Sequence, residues 1–366
     1  MKKYIYIDDE DVASIQSIIE GLNHSGQIEV YRMPLEQGQS IEKVYHFLRD
    51  CPYDGIIIDY MLNGNGPFRI GCNANSIAQY IRDLADKNIK GACPIVLCST
   101  DSKLQEQKQL GYTSGDLYDH YFAKDIDIDY DREAKILESL ANGYEVIANA
   151  NNDISVILGR DISDLDERPF EPFLQTTIRV KQCADLILQD FFQYSGILIS
   201  DEVLCARLGI VKKGAYEEIL SRFTSASYQG VFCALGNYFW TDKVDEIFYK
   251  TFNVTLASVD AEKKIEMYKT VLGVEALYLA PMDENNHSKR LWTICDKTRV
   301  ALDPMEGYRL KETKVLKPWQ EPRFVSFSAL SDGDVDEKMV VDMDKERYHQ
   351  KVEYLKNHQN EGVAVQ

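Results

Sequence analysis

Positive charge is what this sequence lacks most. Its 41 Lys and Arg stand against 59 Asp and Glu, a formal charge of −18 with a pI near 4.8. That balance excludes a broad grip on nucleic-acid phosphates or anionic lipid, which requires clustered cations. DNA is therefore not an expected partner. Apolar runs of membrane-spanning length are missing as well: the longest are strand-sized, against the roughly 20 residues a spanning helix needs. Met1-Lys2-Lys3 leads through YIYI into DDED, so no apolar signal-peptide core develops. A cytoplasmic protein with no membrane partner is the expectation.

Metal-binding and catalytic spacings are equally scarce. The eight cysteines, at 51, 72, 93, 98, 183, 205, 233 and 295, contain no Cys-x-x-Cys and have no His pair nearby, which speaks against zinc and for reduced, mostly buried thiols. No nucleophile elbow or Ser-His-Asp spacing occurs. Gly209 and Gly214 have P-loop spacing, but Ala215-Tyr216 follows in place of Lys-Ser/Thr, so a nucleotide site there is discarded. His287, beside Asp283 and Glu284, lies in the polar stretch PMDENNHSK and reads as solvated.

What is present is alternation. At 366 residues with 45% apolar content, the chain can fill two cores. Strand-like runs occur at 3–8 (KYIYID), 27–31 (QIEVY), 55–59 (GIIID), 94–99 (PIVLCS) and 118–124 (YDHYFAK). Between them come helical periodicities: Val12, Ile15, Ile18, Ile19 and Leu22; a short amphipathic stretch at 41–48; Ile77, Tyr80, Ile81 and Leu84; a polar helix near 101–110; and a closing helix at 134–147 weakened by Gly143 in its interior. Five strands alternating with helices imply right-handed crossovers and a doubly wound parallel sheet covered on both faces. The carboxyl ends of such strands share one edge. Asp8 and Asp9, Asp59, Ser99 and Lys124 all fall there.

Three carboxylates in one crevice repel one another unless a cation neutralises them, and hard oxygen donors suit Mg²⁺. A phosphoryl group could then be attacked by Asp59, with Lys124 supplying positive charge and Ser99 a hydroxyl donor. Taken singly, each residue has a blander reading, as a helix cap or a solvated side chain. Their joint occurrence in this order is harder to explain that way.

At these positions residues 1–148 resemble the receiver domain of bacterial response regulators, a flavodoxin-like fold with strand order 2-1-3-4-5. The resemblance implies Asp59 as phosphoacceptor, and Asp8, Asp9, Asp59 and the backbone carbonyl of Met61 as Mg²⁺ ligands. It further implies Lys124 and Ser99 as catalytic partners, Ser99 and Tyr121 as switch residues, and a histidine kinase or phosphotransfer protein as phosphoryl donor. A two-component-type signalling protein follows, which relays phosphorylation of Asp59 to a C-terminal output or adaptor domain, a class that includes phosphate sinks and stress or defence regulators. A second copy of the chain is a candidate partner. Two other classes stay open: a receiver-gated enzyme with its site in 149–366, and a degenerate receiver that binds proteins without phosphate. Three positions depart from the family pattern. Asp125 follows Lys124 where the family carries proline, Asn63 replaces a common proline, and the stretch 64–75 is longer than the usual loop.

Residues 149–366 read as an α+β domain. A long helix is expected around Ile178, Cys183, Leu186, Ile187 and Phe191. Residues 200–223 suggest a capped helix, a glycine turn and a second helix carrying Glu217 and Glu218, a helical hairpin rather than a DNA reader. Short strands are expected at VFCALGNYFW, VTLAS, ALYLAP, RLWTICD, RVALD, YRLKE and RFVSFSA, with a helix near 260–271 and a surface helix around Tyr348, Val352 and Leu355.

Overall fold

A computed structural model of the chain describes residues 1–36, 40–62, 67–100, 102, 117–125, 127–174 and 178–359. The expected polar helix near 101–110, Asn63 and the terminal residues 362–366 lie outside them. The five expected strands are present as β1 (Lys2–Ile7), β2 (Ile28–Arg32), β3 (Gly55–Asp59), β4 (Ile95–Ser99) and β5 (His120–Ala123). They form one parallel sheet in the order β2-β1-β3-β4-β5. Every residue of β3 and β4 is buried, which is why these strands read as unbroken apolar runs. Helices α1 (Val12–His24), α2 (Ile41–Asp50) and α3 (Ala74–Asp86) fill the crossovers, and Tyr130–Asn149 closes the series. Asp11, whose side chain accepts from the Ser14 N–H at 2.9 Å, caps α1 and leaves Asp8 and Asp9 free for other work.

The described chain divides into two compact units, one of residues 1–189 with 229–236, the other of 190–228 with 237–366. The sheet-and-helix alternation ends near the expected boundary at 148, but packing in the first unit continues past it. Gly143 shows how. In mid-helix it lowers helix stability by up to about 1 kcal/mol relative to Ala, yet a Cβ there would stand 2.3 Å from the Phe232 ring. Phe232 is fully buried and holds φ at 65°, a strained backbone for a bulky residue. The glycine is a notch for this ring, not a helix end.

A buried charge cluster ties strand β5 to the following chain. Asp119 accepts from Arg82 Nη2, the Ile95 N–H and the Tyr144 hydroxyl, each at 2.7 Å, and Lys181 lies 3.4 Å away. Lys181 also pairs with Asp185, at the end of the helix Val180–Asp185, which runs directly into a π-helical turn, Leu186–Phe191. Sequence periodicity foresaw the helix but not the π turn.

Burial pushes the Asp185 carboxyl up to about 6 despite Lys181, with the Asp119 charge adding to the rise. A carboxyl whose folded-state pKa is raised favours folding below its unfolded value and opposes it as pH climbs through 6. Asp185→Asn should therefore stabilise the first unit at pH 7.5, by on the order of 2 kcal/mol, and make little difference near pH 4. Urea denaturation at the two pH values checks this, and equal shifts at both would contradict it.

The second unit is α+β, with helices and three two-stranded antiparallel sheets: Leu198–Ser200 with Tyr238–Trp240, Thr293–Ile294 with Ala301–Leu302, and Tyr308–Arg309 with Phe324–Val325. Several expected strands are shorter or absent. Cys233–Leu235, which belongs to the first unit, and Leu256–Ser258 are 3₁₀ turns, Leu279 contributes one isolated bridge, and the end of RFVSFSA is the helix Phe327–Ser331. The helix Asp201–Leu208 is capped by the Ser200 hydroxyl and stopped by left-handed Gly209, and Tyr216–Ser221 follows. Helix Ala261–Leu272 matches its expectation. The C-terminal helix Asp342–Gln359 is less superficial than expected. Its Tyr348, Val352 and Leu355 pack on the cluster containing Tyr308, Val325, Phe327 and Val340.

Candidate functional site

Parallel register brings the strand tips into a row. Ile7 pairs with Ile58, Asp59 with Cys98, and Ser99 with Ala123, so Asp8 and Lys124, each one residue beyond its strand, flank the ends of β3 and β4. Asp8, Asp9, Asp59 and Ser99 are all at least 96% buried. One carboxylate oxygen from each of the three acids lies within 4.8 Å of the others. Lys124 Nζ stands 2.8 Å from Asp59 Oδ1 and 3.2 Å from Asp8 Oδ2, with Glu10 at 3.9 Å.

No cis peptide bond occurs among the described residues, and Lys124 reaches the acids without a following proline. Its position comes from the ladder: the Lys124 N–H donates to the Ser99 carbonyl at 2.8 Å, continuing the β4–β5 pairing by one residue. Residues 1–149 form the flavodoxin-like fold expected of a receiver.

The charges at the crevice of this receiver fold are unbalanced. Burial raises the Asp9 carboxyl, and the neighbouring charges of Asp8 and Asp59 raise it further. Burial alone would lower Lys124, but Asp59 and Asp8 outweigh it and hold the ammonium well above its ordinary value. Among the described residues, three acids therefore share one firmly charged lysine. Asp9 Oδ2 and Ser99 Oγ are buried and have no hydrogen-bond partner among the described residues. An acceptor and a hydroxyl left unpaired in a carboxylate cluster fit a hard cation and an oxyanion ligand.

The other expected residues are placed as follows. The Met61 N–H donates to Asp59 Oδ2 at 2.8 Å, orienting the carboxylate. Tyr121 is half-buried on β5, its ring edge-on to Tyr118 at 5.9 Å. Two further groups at this site were not singled out from sequence. Tyr6 donates its hydroxyl to Asp8 Oδ2 at 3.2 Å; strand periodicity, which puts residues 6 and 8 on one face, was the available signal. Glu10 was visible only as the third acid of a run.

Solved structures similar to this chain include the receiver domain of the sensor histidine kinase PA1611 from Pseudomonas aeruginosa, described with a magnesium ion in its active-site cleft. It is 18% identical, with 38% of this chain and 98% of that one covered at a TM-score of 0.26. The receiver domain of the response regulator Ssk1 from Saccharomyces cerevisiae, crystallised with the histidine phosphotransfer protein Ypd1, is 15% identical over 38% and 89%, with a TM-score of 0.28. The Vibrio cholerae chemotaxis protein CheY4 is 17% identical over 38% and 98%, with a TM-score of 0.24. With scores this low, the fold assignment rests on the strand order and register above. No protein-family model and no curated protein matches the chain.

The second unit has a cleft of about 260 Å³, lined among others by Phe192, Tyr238, Glu202, Arg299, Glu321 and Arg323. Phe192 and Tyr238 stack at 4.0 Å. Both arginines are paired, Arg299 with Glu202 and Arg323 with Glu312.

Proposed function

We propose that this chain accepts a phosphoryl group on Asp59 from a phosphohistidine protein and uses the modification to signal through its C-terminal unit. Asp59 Oδ1 is the nucleophile: its O–P bond forms as the donor's P–N bond breaks, and the electron pair returns to the imidazole, which takes up a proton. Asp8, Asp9, Asp59 and the Met61 carbonyl would hold Mg²⁺, which would supply positive charge to the transferring oxygens. Lys124 offsets the negative charge left on Asp59, and the unpaired Ser99 hydroxyl donates to a phosphoryl oxygen. The gathering of three buried acids and one ammonium at the sheet edge carries this reading. Turnover of Ser99 and Tyr121 toward the phosphoryl group would then bias a two-state face along β5.

The full chain, incubated with Mg²⁺ and acetyl phosphate, should gain the mass of one phosphoryl group. Asp59→Asn should gain none, and the wild type should bind beryllofluoride only when Mg²⁺ is present. An unmodified wild type, indistinguishable from Asp59→Asn, would instead favour a degenerate receiver that binds partners without phosphate.

A further inference from the structure

We infer that Arg32, paired with Phe68, is a positioning residue for the acid turn at Asp8–Glu10, an inference that rests on the metal-assisted reading above. Neither residue is an acid, a hydroxyl or a lysine at a strand tip, and neither belongs to the set that resemblance implies. Arg32 is the last residue of β2 and pairs in register with Tyr6 of β1, which sets it beside the start of the turn. Its Nη2 donates to the Glu10 carbonyl at 2.5 Å, and its guanidinium lies 4.5 Å from the centre of the Phe68 ring. Phe68 is itself tied to the turn, since its N–H donates to the Asp9 carbonyl at 3.1 Å. Two successive carbonyls of the turn are thus held from outside it, one from β2 and one from the chain between β3 and α3.

Arg32 Nε is buried and bonds to nothing among the described residues. The plane of the guanidinium is therefore set by the aromatic face below it, so Arg32 and Phe68 act as one clasp. From inside the turn, the Glu10 N–H to Asp8 Oδ1 bond, 2.9 Å, helps fix its shape. Without the clasp, the Glu10 carbonyl loses its partner, the Phe68 N–H that holds the Asp9 carbonyl loses the packing of its own side chain, and the Asp9 carboxylate loses its fixed approach to Asp59. Groups that orient a metal's ligands without touching the metal are worth about 10–100-fold in affinity.

The test is a Mg²⁺ titration of the full chain, read as the rise in thermal midpoint with metal concentration and by calorimetry. Arg32→Ala should weaken Mg²⁺ binding by about tenfold, Phe68→Ala should weaken it by a smaller factor, and Arg32→Lys, which keeps a donor for Glu10 but stacks poorly, should recover part of the loss. Because the two residues form one device, the double variant should bind no more weakly than Arg32→Ala alone. Tighter binding in Arg32→Ala would make the arginine a resident counter-charge instead of a positioner and overturn the inference. Unchanged affinity, or losses that simply add, would overturn it equally. Should Arg32→Ala fail to fold, Arg32→Lys and Phe68→Ala decide the matter. A wild type that binds no Mg²⁺ would remove the metal reading itself, a result separate from any difference among the variants.

Discussion

Asp119→Ala is expected to destabilise the first unit by about 3–5 kcal/mol, the range found when one partner of a buried ion pair is removed. Domains hold only about 5–15 kcal/mol in all, so the variant should be substantially unfolded in mild denaturant. The Asp119 side chain is fully buried, and its charged partner Arg82 is 9% exposed. Arg82 also donates to the carbonyls of Leu117 and Cys93, but carbonyls do not neutralise a guanidinium, and Arg cannot shed its proton to escape burial. The same substitution strands the Ile95 N–H and the Tyr144 hydroxyl. Asp119→Asn, which keeps an acceptor for Ile95, should cost less. Arg82→Met in the Asp119→Ala background should restore part of the stability, because an apolar pair is tolerated where a lone charge is not. Urea unfolding of the four proteins checks the ordering. A double variant worse than Asp119→Ala would show that Arg82 contributes chiefly through its carbonyl bonds.

Asp119 also shows where reading residues in order runs out. In YDHYFAK it is one acid at the start of a strand, and nothing local tells it from a solvated side chain. Its partners Arg82, Tyr144 and Lys181 lie 25 to 62 residues away. The strand tips were legible for the opposite reason. GIIID and PIVLCS are buried on both faces, so their composition alone marks them as central parallel strands, and parallel topology then places Asp59 and Ser99 together. Arg32 and Phe68 escaped notice because a cation and an aromatic at unrelated positions carry no periodic signal. Gly143 was visible but ambiguous: propensity reads it as weakness, and only the Phe232 ring explains it. In the second unit, ladders of two or three residues are too short for the period-2 pattern to stand out, and runs such as VTLAS and RFVSFSA end in turns or helices that tertiary packing selects.

Asp9→Asn should reverse the usual sign of a site mutation, raising the stability of the metal-free chain while removing most of its response to Mg²⁺. The Asp9 carboxyl is 4% exposed and raised above the ordinary range by burial and by Asp8 and Asp59. A raised folded-state pKa means the fold holds this proton more tightly than the unfolded chain does. The associated stability is therefore complete below the unfolded value near 3.9, and it is lost as pH rises through the folded value. At pH 7, well above the unfolded value, Asp9 therefore opposes folding, and an amide removes that penalty. Metal reverses the balance: at a Mg²⁺ concentration a hundred times its dissociation constant, linkage adds about 2.7 kcal/mol to the wild type, or roughly 5–10 °C in midpoint for a unit of this size. The variant, with one charge fewer in the cluster, should keep only a small part of that gain. The two melting curves should thus cross as MgCl₂ is added, the variant leading without metal and the wild type leading with it. A wild-type midpoint that ignores Mg²⁺ while still falling behind Asp9→Asn at pH 7 would leave the three acids as a cluster without a metal, with Lys124 as its counter-charge among the described residues.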